Sequence, residues 1–178
     1  MKYLILVTLY LLYFFSDRDE QSLIKEAYSI TYEELLIGYP ELTESSFLFL
    51  PQPIENKYYT NLKPQGYESL MQLFLQENKV ESDLTHLIPE TFNSLAHQAL
   101  RKKLLSKSSN PNTFWSTISQ EPSLFGTVQM TKPVIKNNKA FVILAFQWGP
   151  RNGFHQWFVF RKEANEWHLE KKKITIEY

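Results

Sequence analysis

Two neighbouring stretches, Ala140-Phe-Val-Ile-Leu-Ala-Phe-Gln-Trp148 and Phe154-His-Gln-Trp-Phe-Val-Phe160, decide the fold. Both are rich in β-branched and aromatic residues, and the segment between them, Gly149-Pro-Arg-Asn-Gly153, is made of turn formers, so the pair reads as a hairpin. An antiparallel strand with one wet face alternates apolar and polar residues. These two do not. Ala140, Val142, Leu144, Phe146 and Trp148 share one face of the first strand, and Phe141, Ile143 and Ala145 share the other. In the second strand Phe154, Phe158 and Phe160 point one way, Trp157 and Val159 the other. The centre of the sheet is therefore apolar front and back. Helices can cover one face; the second requires more of the same chain, another subunit in a homodimer, or a ligand. Fully burying a large apolar side chain is worth about 1.5–3 kcal/mol, so a whole face of them does not stay in water.

Working outward, Thr127–Thr131 and Trp167–Tyr178 also read as strands, and Lys136-Asn-Asn-Lys139 and Glu163-Ala-Asn-Glu166 are short connections of hairpin type. The C-terminal half is thus expected to be an antiparallel four-stranded meander. The N-terminal half reads as helices: Leu23, Ile24, Ala27 and Tyr28 form a stripe behind Asp17 and Glu20, which have capping-box spacing. Leu70, Leu73, Phe74 and Glu77 continue in helical register, and a longer stripe runs from Leu84 to Leu104, split by Pro89. Phe47–Leu50 is a short strand that Pro51 and Pro53 keep out of a central ladder. Residues 54–65 are a polar loop, and Ser106–Thr113 a Ser/Asn/Pro linker. The class is α+β, with a helical N-terminal half packed on the C-terminal sheet, and residues 17–178 form one domain.

Residues 1–16 stand apart. Lys2 precedes an apolar run, Tyr3–Phe15, interrupted only by Thr8 and ended by Ser16-Asp-Arg-Asp-Glu20. That is the pattern of a secretory signal peptide. Thirteen helical residues span about 20 Å, short of a hydrocarbon core of about 30 Å. Phe14 is bulky for a cleavage site, so an uncleaved N-terminal anchor is the alternative. The expected location is exported, periplasmic or at the cell surface, with membrane attachment only if the segment is retained.

Composition excludes several classes. The 178 residues carry nineteen basic and nineteen acidic side chains, so no global field draws the protein to nucleic acid. Cysteine is absent, which removes disulfides, thiolate metal sites and thiol nucleophiles. The five glycines, at 38, 66, 126, 149 and 153, have no phosphate-cradling spacing. Neither a cofactor nor a metal is expected.

The densest polar and aromatic site is Trp148-Gly-Pro-Arg-Asn-Gly-Phe-His155. Its plain reading is a hairpin loop with a solvated histidine; its chemical reading pairs Arg151 with a carboxylate and uses His155 as an acid/base group. His86, Glu90, Asn93 and His97 follow a helical spacing, but Pro89 divides them and the span of about 16 Å is too long for one metal. His168 is expected to be exposed. The mix of Arg161, Lys162, Trp167 and Lys171–Lys173 resembles a single-strand nucleic-acid surface, but Glu163, Glu166 and Glu170 interleave with it, and lysines on a terminal strand discourage edge-to-edge association.

Gly126–Pro133, Asn138–Ala145, Gly149–Gly153 and Lys162–Lys171 around Trp167 together resemble a scattered group of small exported bacterial α+β proteins, over about residues 126–171. No activity comes with the group, and its members often carry cysteines near the central turn that this chain lacks. By analogy the architecture is similar to NTF2-like or cystatin-like sheets curved around helices, which host enzymes, binders and inhibitors alike. The leading expectation is a non-catalytic exported domain that binds a small apolar ligand or a protein partner, with Trp148, Trp157 and Phe141 as anchors and Arg151 and His155 nearby. The alternatives are a small hydrolase or isomerase using His155 with Arg151, and an inhibitor or immunity-type protein using the 149–153 loop as a wedge.

Overall fold

The computed structural model of the chain describes residues 2–42, 47–55, 58–79, 83–106 and 111–177, with side chains for all of these except 2–17, 111, 112, 176 and 177. The hairpin at the centre is β4 (Lys139–Gly149) and β5 (Asn152–Glu163), paired antiparallel from Lys139↔Arg161 to Gly149↔Asn152. Glu166–Glu177 forms β6 on the outer side of β5. The connection between them is the two-residue turn Ala164-Asn165, both residues at positive φ, as a turn matched to strand twist requires. Asn137 and Asn138 make the same turn between β3 (Val134–Lys136) and β4.

The sheet is mostly antiparallel but is not a four-stranded meander. It has six strands in the order β1-β2-β4-β5-β6, with β3 pairing the far end of β4. β2 (Gly126–Met130) and β3 share one edge of β4, and Thr131 bridges the gap: its N–H donates to the Ile143 carbonyl, and the Ile143 N–H donates to its hydroxyl, each at 3.0 Å. The sixth strand comes from the N-terminal half. β1 (Phe47–Pro53) lies parallel to β2, which the two prolines permit because β1 is an edge. Its docking is explained by burial, since Phe47, Leu48, Phe49 and Leu50 are all buried whichever face they point to. Glycines let the sheet close on β4 where its register shifts between Gln147 and Gly149. A Cβ on Gly126 would stand 2.2 Å from the Gln147 carbonyl oxygen, and one on Gly153 2.3 Å from that of Phe146.

One face is covered by α1 (Lys2–Gly38), whose Leu23, Ile24, Ala27 and Tyr28 pack on Val142, Leu144, Phe146, Phe158 and Phe160. The Tyr28 ring meets Phe92, Phe49 and Phe146 at centroid distances of 4.7, 5.2 and 5.9 Å. The helix runs unbroken through Asp17, so no helix starts there, and through Ile30-Thr31, where the Thr31 hydroxyl donates to the Ala27 carbonyl one turn back. Among the described residues, no helix is long and apolar enough to cross a membrane.

The opposite face is covered twice. α2 (Glu68–Glu77) and the preceding loop lay Tyr59, Leu70, Met71 and Phe74 over Phe141, Ile143, Trp157 and Val159. At the β1 edge, Leu48 and Leu50 pack under α3 (Leu95–Leu105) and α4 (Pro111–Ser119). The stripe 84–104 resolves into two 3₁₀ turns, Thr85–Leu87 and Glu90–Phe92, and then α3, which Ser94 caps by accepting the His97 N–H. Its register also differs from the apolar pattern: Leu95 is 83% exposed, while Arg101 and Leu104 turn inward. Of the linker expected at 106–113, residues 107–110 lie outside the described residues, and Pro111 already opens α4.

Candidate functional site

The three proposed anchors are divided between the two faces of the sheet. Phe141 and Trp157 stack at 5.9 Å between ring centroids on the α2 face, where they are 0% and 4% exposed. Trp148 lies on the α1 face with Phe154 at 5.9 Å. The aromatic surface that the sequence suggests on the second face is thus interior, because α2 and its loop close over it. Phe74 meets Phe141 edge-on at 4.8 Å, and a polar rim completes the seal. In that rim Lys139 donates to Glu170 at 3.0 Å, and Lys171 sits over the rings of Tyr67 and Trp157 at 5.8 and 6.0 Å. The hydrogen bond from Lys139 holds the Glu170 carboxyl below its ordinary pKa.

His155 shares this sealed side. Its β5 position places it opposite Ala145, and the Tyr58 ring covers it edge-on at 4.9 Å. It is 3% exposed, not solvated, and burial pushes its pKa down to about 4, so it is neutral near pH 7. Arg151, four residues earlier, is exposed in the turn. A buried neutral imidazole and a solvent-facing guanidinium do not form a shared acid/base pocket. Gln156 points the other way and lies 2.9 Å from the Thr31 hydroxyl of α1, a buried polar link between helix and sheet. His168 is exposed, as its position predicts, and His86, Glu90, Asn93 and His97 are spread over two 3₁₀ turns and a helix start. No group of three His, Cys, Asp or Glu side chains among the described residues is arranged to hold a metal.

What remains partly open lies on the α1 face, where four half-buried rings from separate parts of the chain are linked by contacts. Tyr39 meets Phe125 at 4.9 Å and Trp148 at 6.2 Å, Phe125 meets Trp148 at 5.7 Å, and Trp148 meets Phe154 edge-on. Ile37, in the last turn of α1, is 86% exposed. The exposed Arg151 follows Trp148 in the adjoining turn. Tyr39 and Phe125 escape a reading of strand patterns because each lies in a connection, just after a helix and just before a strand. No family model matches the chain, and no curated protein or solved structure shows significant similarity to it.

Proposed function

We propose that the chain is an exported, non-catalytic binding domain whose contact surface is the aromatic end formed by Tyr39, Phe125, Trp148 and Phe154, flanked by Arg151. The observation that carries this reading is the half-burial of four rings linked by contacts through Trp148, while every other aromatic part of the β4–β5 hairpin is sealed. Trp, Tyr and Arg are the residue types that dominate binding energy at protein interfaces, because they offer large contact area for little lost rotamer freedom. A protein partner presenting apolar side chains therefore suits this end better than an enclosed small ligand. Export rests on Lys2 and the apolar run Tyr3–Phe15. From Asp19 onward, α1 is tied to the sheet by the Asp19–Lys162 ion pair and by the burial of Leu23, Ile24, Ala27 and Tyr28.

The test uses the neutral dye Nile red with size-exclusion chromatography and light scattering. Wild-type protein is expected to bind the dye, and a Trp148→Ser variant with a melting temperature within a few degrees is expected to bind it at least fivefold more weakly. A monomer that binds no dye, or a variant that binds it as wild type does, contradicts the reading.

A further inference from the structure

Arg101 is the most deeply buried cation among the described residues, and no carboxylate among them pairs with it. It is 5% exposed, on the inward side of α3. Nη1 donates to the Phe92 carbonyl at 3.2 Å and Nη2 to the side-chain oxygen of Asn93. Both acceptors are neutral. A guanidinium has five N–H donors, so these bonds satisfy part of it and leave its charge uncompensated. Burial alone pulls its pKa below the ordinary guanidinium value. A buried charge without a counter-charge is costly.

Arg101 and its partner Asn93 line an open cleft of about 570 Å³ between α3 and the 3₁₀ turn at Thr85–Leu87, with Pro51 of β1 as one wall. Lys102, Asn93, Gln98 and Ser106 line the same cleft. Lys102 is exposed and has no ion pair among the described residues, whereas its neighbour Lys103 is engaged by Glu121 at 3.3 Å. The carboxylate of the turn, Asp83, is taken up by the Thr85 N–H at 2.9 Å and the Thr85 hydroxyl at 2.5 Å. The C-terminal carbonyls of α3 carry partial negative charge, but the Ser106 N–H and hydroxyl occupy those of Lys102 and Lys103. The amides and hydroxyls that line the space are engaged within the protein, Gln98 with the Asn93 carbonyl, Asn93 with Arg101 and Ser106 with the Lys103 carbonyl, so the charge facing the cleft is that of Arg101 and Lys102.

We propose that this cleft binds a phosphate group carried by a small molecule, with Arg101 as the buried anchor and Lys102 as the entrance charge. Guanidinium matches the tetrahedral oxyanion with paired N–H donors, and Lys adds a point charge. The cleft is of the size that holds whole small ligands, which favours a phosphate ester over free phosphate. This site is separate from the aromatic end, and each stands or falls without the other.

The experiment is isothermal titration of the full chain with inorganic phosphate and with glycerol 3-phosphate, in sodium chloride of matched ionic strength, together with melting curves. Wild type is expected to bind the ester saturably, more tightly than phosphate. Lys102→Ala, an exposed change, is expected to weaken binding about tenfold. Arg101→Met is expected to abolish it while melting in chloride at or above the wild-type temperature, because an unpaired charge is replaced by a similar apolar volume. No saturable binding of either probe, or equal binding by Arg101→Met, overturns the proposal. If Arg101→Met does not fold, Lys102→Ala decides: a tenfold loss supports the site, and unchanged affinity overturns it.

Discussion

The α2 side of the β4–β5 hairpin and the end of its α1 side are built from the same kinds of residue, yet one is interior and the other half open. On the α2 side, Phe141 and Trp157 stack under Phe74, and the Lys139–Glu170 pair and Lys171 close the rim. On the α1 side, Trp148 and Phe154 are half buried: Tyr39 and Phe125 pack on Trp148, and Phe146 stacks on Phe154 at 5.4 Å. The difference lies in what packs on each set of rings. Tyr59, Leu70, Met71 and Phe74 close over Phe141 and Trp157, whereas Trp148 and Phe154 meet rings of which Tyr39 and Phe125 are themselves half buried. An apolar face announces that something covers it; how completely the covering groups bury it decides which part is left to make contacts.

This contrast can be broken most forcefully with truncations. Trp157→Ala or Phe141→Ala is expected to cost about 3–5 kcal/mol, measured by urea denaturation, because each empties a packed interior site. A cost under about 1 kcal/mol would mean that α2 does not seal this face. His155 gives the next effect. Its folded pKa of about 4 lies below the ordinary 6.5, so above pH 6.5 it is neutral in both states. As pH falls from 6.5 to about 4, the unfolded chain gains a proton that the folded chain refuses, and stability declines by about 3 kcal/mol over that window. A His155→Gln variant is expected to lose this part of the pH dependence; an identical pH profile would place the imidazole in solvent.

Trp148→Ala is expected to cost about 1–2 kcal/mol in the same denaturation, less than Trp157→Ala, because its ring is only half buried. The smallest change lies outside both regions. Ala164 holds a left-handed φ of 48° in the β5–β6 turn, and Ala164→Gly is expected to stabilise by about 0.5 kcal/mol, the relief of strain exceeding the added freedom of the unfolded chain. Equal melting temperatures would argue against that turn geometry.

The hairpins and the two-sided apolar character of β4 and β5 were legible in the sequence because both are local properties: turn chemistry and alternation. The parallel docking of β1 was not, since nothing between Phe47 and Leu50 names its partner strand. The alternation of β5 gives the side on which His155 lies but not that Tyr58 from a distant loop covers it. Arg101 was hidden among Lys102 and Lys103, which suit the negative end of a helix dipole. The apolar pattern placed Leu95 inward, whereas the cap at Ser94 and the contacts of Leu104 turn α3 so that Arg101 faces in.

The most direct measurement is fluorine NMR of protein labelled with 5-fluorotryptophan, its resonances assigned by single Trp→Phe changes, during titration with Nile red. The dye is expected to shift or broaden the Trp148 signal while that of Trp157 stays in place. A Trp157 signal that responds while Trp148 does not would contradict the account, since the open surface would then lie beneath α2.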